Sequence, residues 1–185
     1  MSKIGVLGSG QVAQVLALGF KKHGHDVMLG SRDPAGARDF FRGLLAGVSA
    51  PTPLGVDSAP RRGEPMGDEQ QHEVLSTRTS DEIGAFARAQ GITVNTVVQG
   101  AFALLLSRYS GEEEVLFGAT VSGRSSPIPG IESMVGLFIN TLPSRIRVEG
   151  SARVLDWLTG LQAGLAELRD LEHSSLVDVQ GQSEV

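Results

Sequence analysis

The sequence predicts an α/β protein, and three features carry that prediction. Lys3 to Leu7 (K-I-G-V-L) is an apolar run ending at glycine, followed by helical spacing and a second run, Asp26 to Leu29 (D-V-M-L). Val115 to Val121 (V-L-F-G-A-T-V) has the composition of a further strand. From near Ala152, Val154, Leu155, Leu158, Leu161, Leu165 and Leu168 recur at three-and-four spacing, which marks a long amphipathic helix.

Composition narrows the function classes. The 185 residues give room for one domain or two very small ones, and 41% hydrophobic with 20% charged is ordinary for a globular chain. A net charge of −5 and a pI near 5.4 argue against a nucleic-acid or anionic-membrane surface. With no cysteine there is no disulfide framework, no thiolate nucleophile and no Cys-ligated metal. The first apolar run is broken by glycines, Gln11 and Gln14, so it lacks the order of a signal peptide. The most apolar helix candidate, Val94 to Leu106, is too short to span a bilayer. A cytoplasmic protein is expected.

In the first segment, Gly8-Ser9-Gly10-Gln11-Val12-Ala13 follows the G-x-G-x-x-G/A pattern between strand and helix. Gly8 permits the tight turn, Gly10 lets backbone approach a pyrophosphate, and Ala13 allows close packing of helix on strand. The helix N-terminus offers N–H groups to phosphates. Val12, Val15, Leu16 and Phe20 continue the helix until Gly24 stops it. Ser31 and Arg32 stand where an NAD enzyme carries an acid, which favours the extra phosphate of NADP. These strings resemble the N-terminus of NADP-dependent oxidoreductases of the coenzyme-F420 reductase type, over about the first thirty-four residues. The cofactor residues implied are Gly8, Ser9, Gly10, Gln11, Val12, Ser31 and Arg32.

Asp33 to Gly47 reads as a short amphipathic helix, with Asp33 as its cap, Pro34 in its first turn and Phe40, Phe41, Leu44 and Leu45 on the apolar face. Ser58 to Gln71 has no periodicity and reads as a loop. His72 to Arg78 reads as a strand leading into a helix, with Thr79 and Glu82 as a capping box and Gly91 as its close. Thr93 caps the next helix, which runs to Tyr109 and is apolar on nearly every side, as a core helix would be. Phe138 and Ile139 have strand texture, Asn140 and Thr141 place two polar side chains after them, and Pro143 limits how far pairing runs.

T-V-N-T-V-V-Q-G-A-F-A-L-L-L-S-R-Y-S-G, V-L-F-G-A-T-V-S-G-R, P-G-I-E-S-M-V-G-L-F-I-N-T-L-P-S-R and E-L-R-D-L-E-H-S-S-L-V-D-V-Q-G stand in order along the chain. They resemble the second lobe of the condensation domains of nonribosomal peptide synthetases, over roughly Asp33 to Val185. The resemblance implies a partial chloramphenicol-acetyltransferase-like lobe with helices on a mixed sheet. Before it would come a Rossmann-like βαβ fragment over 1–32, then a helix and linker over 33–71 and the lobe over 72–185. The two resemblances together predict a chimera joined near Ser31 to Pro34.

Such domains join an acyl or peptidyl thioester to an aminoacyl thioester, both held on phosphopantetheine of carrier proteins. The family's base lies in H-H-x-x-x-D-G, and none of His23, His25, His72 or His173 stands in that motif. No catalytic residue is therefore assigned, and an inactive fragment is the expectation. His23 and His25 read as turn residues. His173 beside Glu172 reads as structural, and Ser174, Ser175, His173 and Asp178 lack a nucleophile-elbow pattern. No spacing supports a metal. Asn140 and Thr141 are the acceptor-tunnel candidates implied by the family. A peptidyl carrier protein or a missing condensation lobe is the implied partner. An NADP-binding oxidoreductase is the alternative, and a non-catalytic docking module the third reading.

Overall fold

Two five-residue strands, β1 (Lys3–Leu7) and β2 (Asp26–Gly30), pair in parallel from Lys3↔Asp26 to Leu7↔Gly30. Parallel neighbours need a crossover, and α1 (Gln11–Lys22) supplies it. Gly24, at φ +79°, ends the helix as its position predicts. The computed structural model describes residues 3–7, 11–30, 34–54, 70–125 and 130–182. On α1 Ala17 is buried, whereas Val15, Leu16 and Phe20 are all exposed. A two-stranded sheet is too narrow to cover a whole helix face.

The chain gathers into two units that interleave along the sequence. One comprises Met1–Pro51, Leu116–Arg145 and Leu165–Val185, the other Thr52–Val115 and Ile146–Gly164. The core of the first is built on α2 (Pro34–Leu44), with Pro34 in the first turn as expected. Ala37, Phe41 and Leu45 recur every four residues and pack with Leu142, Leu168 and Val179. Phe40 meets Phe41 edge to face, with ring centroids 5.4 Å apart. The last turn of α2 leaves carbonyls without helical partners. Arg145 Nη1 takes up two carbonyls there, donating to Leu44 O at 2.8 Å and Ala46 O at 2.7 Å.

The second unit holds α3 (Thr77–Gln90) and α4 (Val94–Ser110). The expected capping box at Thr79 and Glu82 does not form. Ser76 is the N-cap, accepting from Thr79 N at 3.1 Å, and Glu82 pairs instead with Arg78 at 2.8 Å. The expected strand at His72 to Arg78 is also absent: 71–76 is irregular, with Val74 and Leu75 exposed and no strand beside it among the described residues. Gly91 and Thr93 cap as predicted, Gly91 in the left-handed region at φ 67° and Thr93 accepting from Thr96 N.

Helix α4 is not a fully buried core helix. Its buried residues are Thr96, Gly100, Ala103 and Leu106, while Val98, Phe102 and Leu105 are exposed. The reason is close approach by α5 (Val154–Asp170). A Cβ on Gly100 would lie 2.7 Å from Leu158 Cδ2 and 3.3 Å from the Trp157 ring, so the small-residue face is the one that packs. Thr96 is fully buried and its hydroxyl donates to Gln162 Oε1 at 2.6 Å. Trp157 Nε1 donates to Arg147 O at 2.7 Å.

Strands β3 (Glu114–Val121) and β4 (Asn140–Arg147) form the second sheet. A backbone bond from Val148 N to Glu113 O joins the start of one strand to the end of the other, so they run antiparallel. The mixed sheet expected from the sequence is thus two separate pairs among the described residues, one parallel and one antiparallel. Pro143 lies inside β4, where a two-stranded sheet tolerates it because each strand has an open edge. Phe138 and Ile139 fall before the strand rather than in it. Helix α6 (Leu176–Gln180) completes the described elements. Among the described residues no single helix is long and apolar enough to cross a membrane.

Phe41 is 1% exposed and is a member of the first core. Phe41→Ala is expected to cost about 3–5 kcal/mol in urea unfolding followed by circular dichroism. A change within about 0.5 kcal/mol, as at a surface site, would contradict this packing.

Candidate functional site

The residues following β3 build the site. Gly123, at φ +68°, is buried against the segment that returns to β4, and a Cβ there would collide with the Phe138 carbonyl. Arg124 then fastens that segment. Its Nη1 donates to Ile131 O at 2.5 Å and Met134 O at 3.1 Å, and its guanidinium lies 4.2 Å from the Phe138 ring centroid. A planar cation with several donors suits this combined task of bonding carbonyls and stacking on a ring. Ile131 is buried in the short turn Ile131–Ser133.

The return segment delivers Asn140 to the start of β4. Asn140 Nδ2 donates to Glu172 O at 2.9 Å and to Ser174 O at 2.6 Å, while its Oδ1 accepts from Thr141 N at 2.9 Å. Both ends of one amide are therefore used. The bonds tie the strand to the turn that leads into α6. Glu172 is 8% exposed, and its Oε2 and the Ser174 Oγ have no hydrogen-bond partner. A Ser–His–Asp relay is accordingly not assembled at Ser174.

Thr141, the neighbour of Asn140, lines a cavity of about 350 Å³ within the first unit. Its walls come from the segment after α2 (Leu45, Val48, Pro51), from β3 (Leu116, Phe117, Gly118) and from β4 (Leu142, Pro143). Leu176, Val179 and Gln180 of α6 close the remaining side. No charged side chain is among the lining residues. Asn140 holds the frame from behind and Thr141 faces the space.

Gln11 and Val12 open α1. Gly8, Ser9, Gly10, Ser31 and Arg32 lie outside the described residues. His23 is exposed, and His25 packs edge to face on Phe20 with centroids 6.2 Å apart, a turn contact. Among the described residues no group of three His, Asp or Glu side chains is placed to hold a metal ion. Sequence reasoning gave no role to Arg124 and Arg145, which end two of the family strings and bond backbone carbonyls, nor to Gly118, which reads as a plain strand glycine.

A family model described as the condensation domain matches residues 18–185. The chain belongs to the condensation domain family. The match begins upstream of the join expected near Ser31 to Pro34. The chain is 47% identical over 156 residues to a linear gramicidin synthase of Brevibacillus parabrevis, covering 83% of this chain and 2% of that protein. It is 46% identical over 157 residues to chondramide synthase cmdD of Chondromyces crocatus, covering 83% of this chain and 4% of that protein. This condensation domain chain thus spans a few per cent of the length of those curated relatives.

Among solved structures, the SgcC5 protein from Streptomyces globisporus aligns with a TM-score of 0.67 at 25% identity, over 80% of this chain and 32% of that one. The first condensation domain of the CDA synthetase aligns with a TM-score of 0.60 at 21% identity, over 87% of this chain and 34% of that one, which shows the shared fold. The α/β fold of condensation domains is the fold of this chain.

Arg124→Lys retains the charge but replaces a planar fork with a single ammonium. It is expected to lower stability by about 1–3 kcal/mol and to speed amide exchange over 131–139. Unchanged exchange there would show that the clamp does not hold the segment.

Proposed function

We propose that this chain forms one wall of a site that joins an acyl or peptidyl thioester to an aminoacyl thioester, both delivered on phosphopantetheine by carrier proteins. Its part is to position and to exclude water. The observation that carries the reading is the uncharged cavity beside Thr141, in a chain matching the condensation model over 18–185. Amide formation needs the attacking amine held against the thioester and shielded from hydrolysis. It also needs a base or positioning group near that amine. The sequence contains no H-H-x-x-x-D-G string, so this group comes from outside the 185 residues, and the chain is inactive by itself. Asn140 sets the frame and Thr141 is the acceptor-side contact in this reading.

A second reading rests on the parallel β1–β2 pair joined through α1, with Gly8-Ser9-Gly10 directly before the helix and Arg32 after β2. It makes 1–32 an NADP-binding start, and the chain a join near Ser31 to Pro34 ahead of the linker (33–71) and lobe (72–185). The family match from residue 18 weighs against it.

One thermal-shift series separates the readings. The chain is titrated with a peptidyl carrier protein in its phosphopantetheinylated form, with the same carrier lacking that arm, and with NADP. A rise in melting temperature with the phosphopantetheinylated carrier alone is expected. A response to NADP that Arg32→Ala abolishes, with none to the carrier, would replace the first reading by the second.

A further inference from the structure

We propose that two copies of this chain pair through α4, antiparallel, across a two-fold axis that passes between Ala101 and Phe102. The pairing is independent of the cavity and of the reaction proposed above.

Helix α4 has two opposite faces. Thr96, Gly100 and Ala103 lie along one and are buried, the face on which Trp157 and Leu158 approach Gly100. At 3.6 residues per turn the other face carries Val94, Val98, Ala101, Phe102, Leu105 and Tyr109, all of them exposed. The five large ones are 43–57% exposed. They span an arc of about 100°, the width of a stripe that ordinarily faces a core. Half-exposed side chains of these sizes present roughly 500 Å² of apolar surface. Contiguous patches of that extent commonly mark interaction sites.

The order of the stripe selects a second copy as its occupant. From Val94 the residues follow at steps of four, three, one, three and four, so the spacing is the same from either end. A two-fold axis at the centre sets Val94 level with Tyr109 of the second copy, Val98 with Leu105, and Ala101 with Phe102. Each pair joins a smaller side chain to a larger one, which lets the two rows interdigitate at an interaxial distance of about 8–10 Å. Arg108 is the one charged side chain of α4, and the same axis sets it level with Asn95. The two arginines then stand roughly 20 Å apart, beyond a Debye length. A parallel pair would instead bring Arg108 to Arg108 and Phe102 to Phe102. Two-fold closure covers the stripe on both copies, so association stops at two. About 1,000 Å² buried in total is the lower bound of a specific interface, which makes the pair a weak one.

The test is analytical ultracentrifugation of the full chain over roughly 1–100 µM. The mass is expected to rise with concentration from 19.5 kDa toward twice that value and no further. Val98→Glu and Leu105→Lys, both at exposed positions, are each expected to weaken association at least about tenfold. Mixed in equal amounts, the two variants are expected to pair with each other more tightly than either does with itself, because position 98 of one copy lies level with 105 of the other. Circular dichroism melts establish that each variant folds, and the concentration series on the unsubstituted chain needs no variant. A monomer throughout the range would leave the face to a different partner and overturn the pair. Species heavier than a dimer, a folded Val98→Glu chain that associates normally, or a mixture no tighter than its components would overturn it too. A monomeric chain that still responds to the phosphopantetheinylated carrier would remove the pair and leave the acyl-transfer reading in place.

Discussion

The amide of Asn140 is the constraint on which the candidate site depends. Three parts of the chain must meet to make the cavity: the β3–β4 pair, the segment after α2 and the short α6. Only five residues long, α6 has too few internal bonds to stand alone. Its place is set by the preceding turn, where Glu172 and Ser174 present their carbonyls to Asn140 Nδ2. The same amide receives the Thr141 N–H, which fixes Thr141 as it enters the strand. An aspartate here would set a carboxylate against two carbonyls, and an alanine would leave those carbonyls without these donors.

Arginine side chains extend the frame on either side. Arg124 gathers the segment before Asn140 by two carbonyls and the Phe138 ring, and Arg145 gathers the end of α2 by two further carbonyls. Polar side chains thus organise backbone around a space whose own walls are almost wholly apolar. Such a division suits a positioning role, because the ligand meets hydrocarbon while directional bonds are made behind the wall. It also agrees with a chain that carries no acid–base pair of its own at the cavity.

How much of this was legible depends on the range of each interaction. The stops at Gly24 and Gly91 and the cap at Thr93 were readable because they are settled within a few residues. The start of α3 was misplaced by a local competition: Ser76 and Thr79 both offer hydroxyls, and Ser76 caps while Glu82 turns to Arg78. The burial of α4 was misread for a longer-range reason. An apolar character on nearly every side pointed to burial all round, yet close approach by Trp157 and Leu158 at Gly100 leaves Val98 and Leu105 exposed. Asn140 and Thr141 could be singled out by family resemblance, but not their division into clasp and wall. Arg124 ends one of the strings that carry the family resemblance, but its clamping role was not legible, since carbonyl partners have no side-chain signature.

Amide hydrogen exchange on Asn140→Ala tests the central claim most directly. If Asn140 clasps the turn, exchange accelerates from 172 through α6, while α3 and α4 keep their protection. If α6 exchanges at the same rate with and without the Asn140 amide, the wall is held by something else and the site described here is not built on that residue.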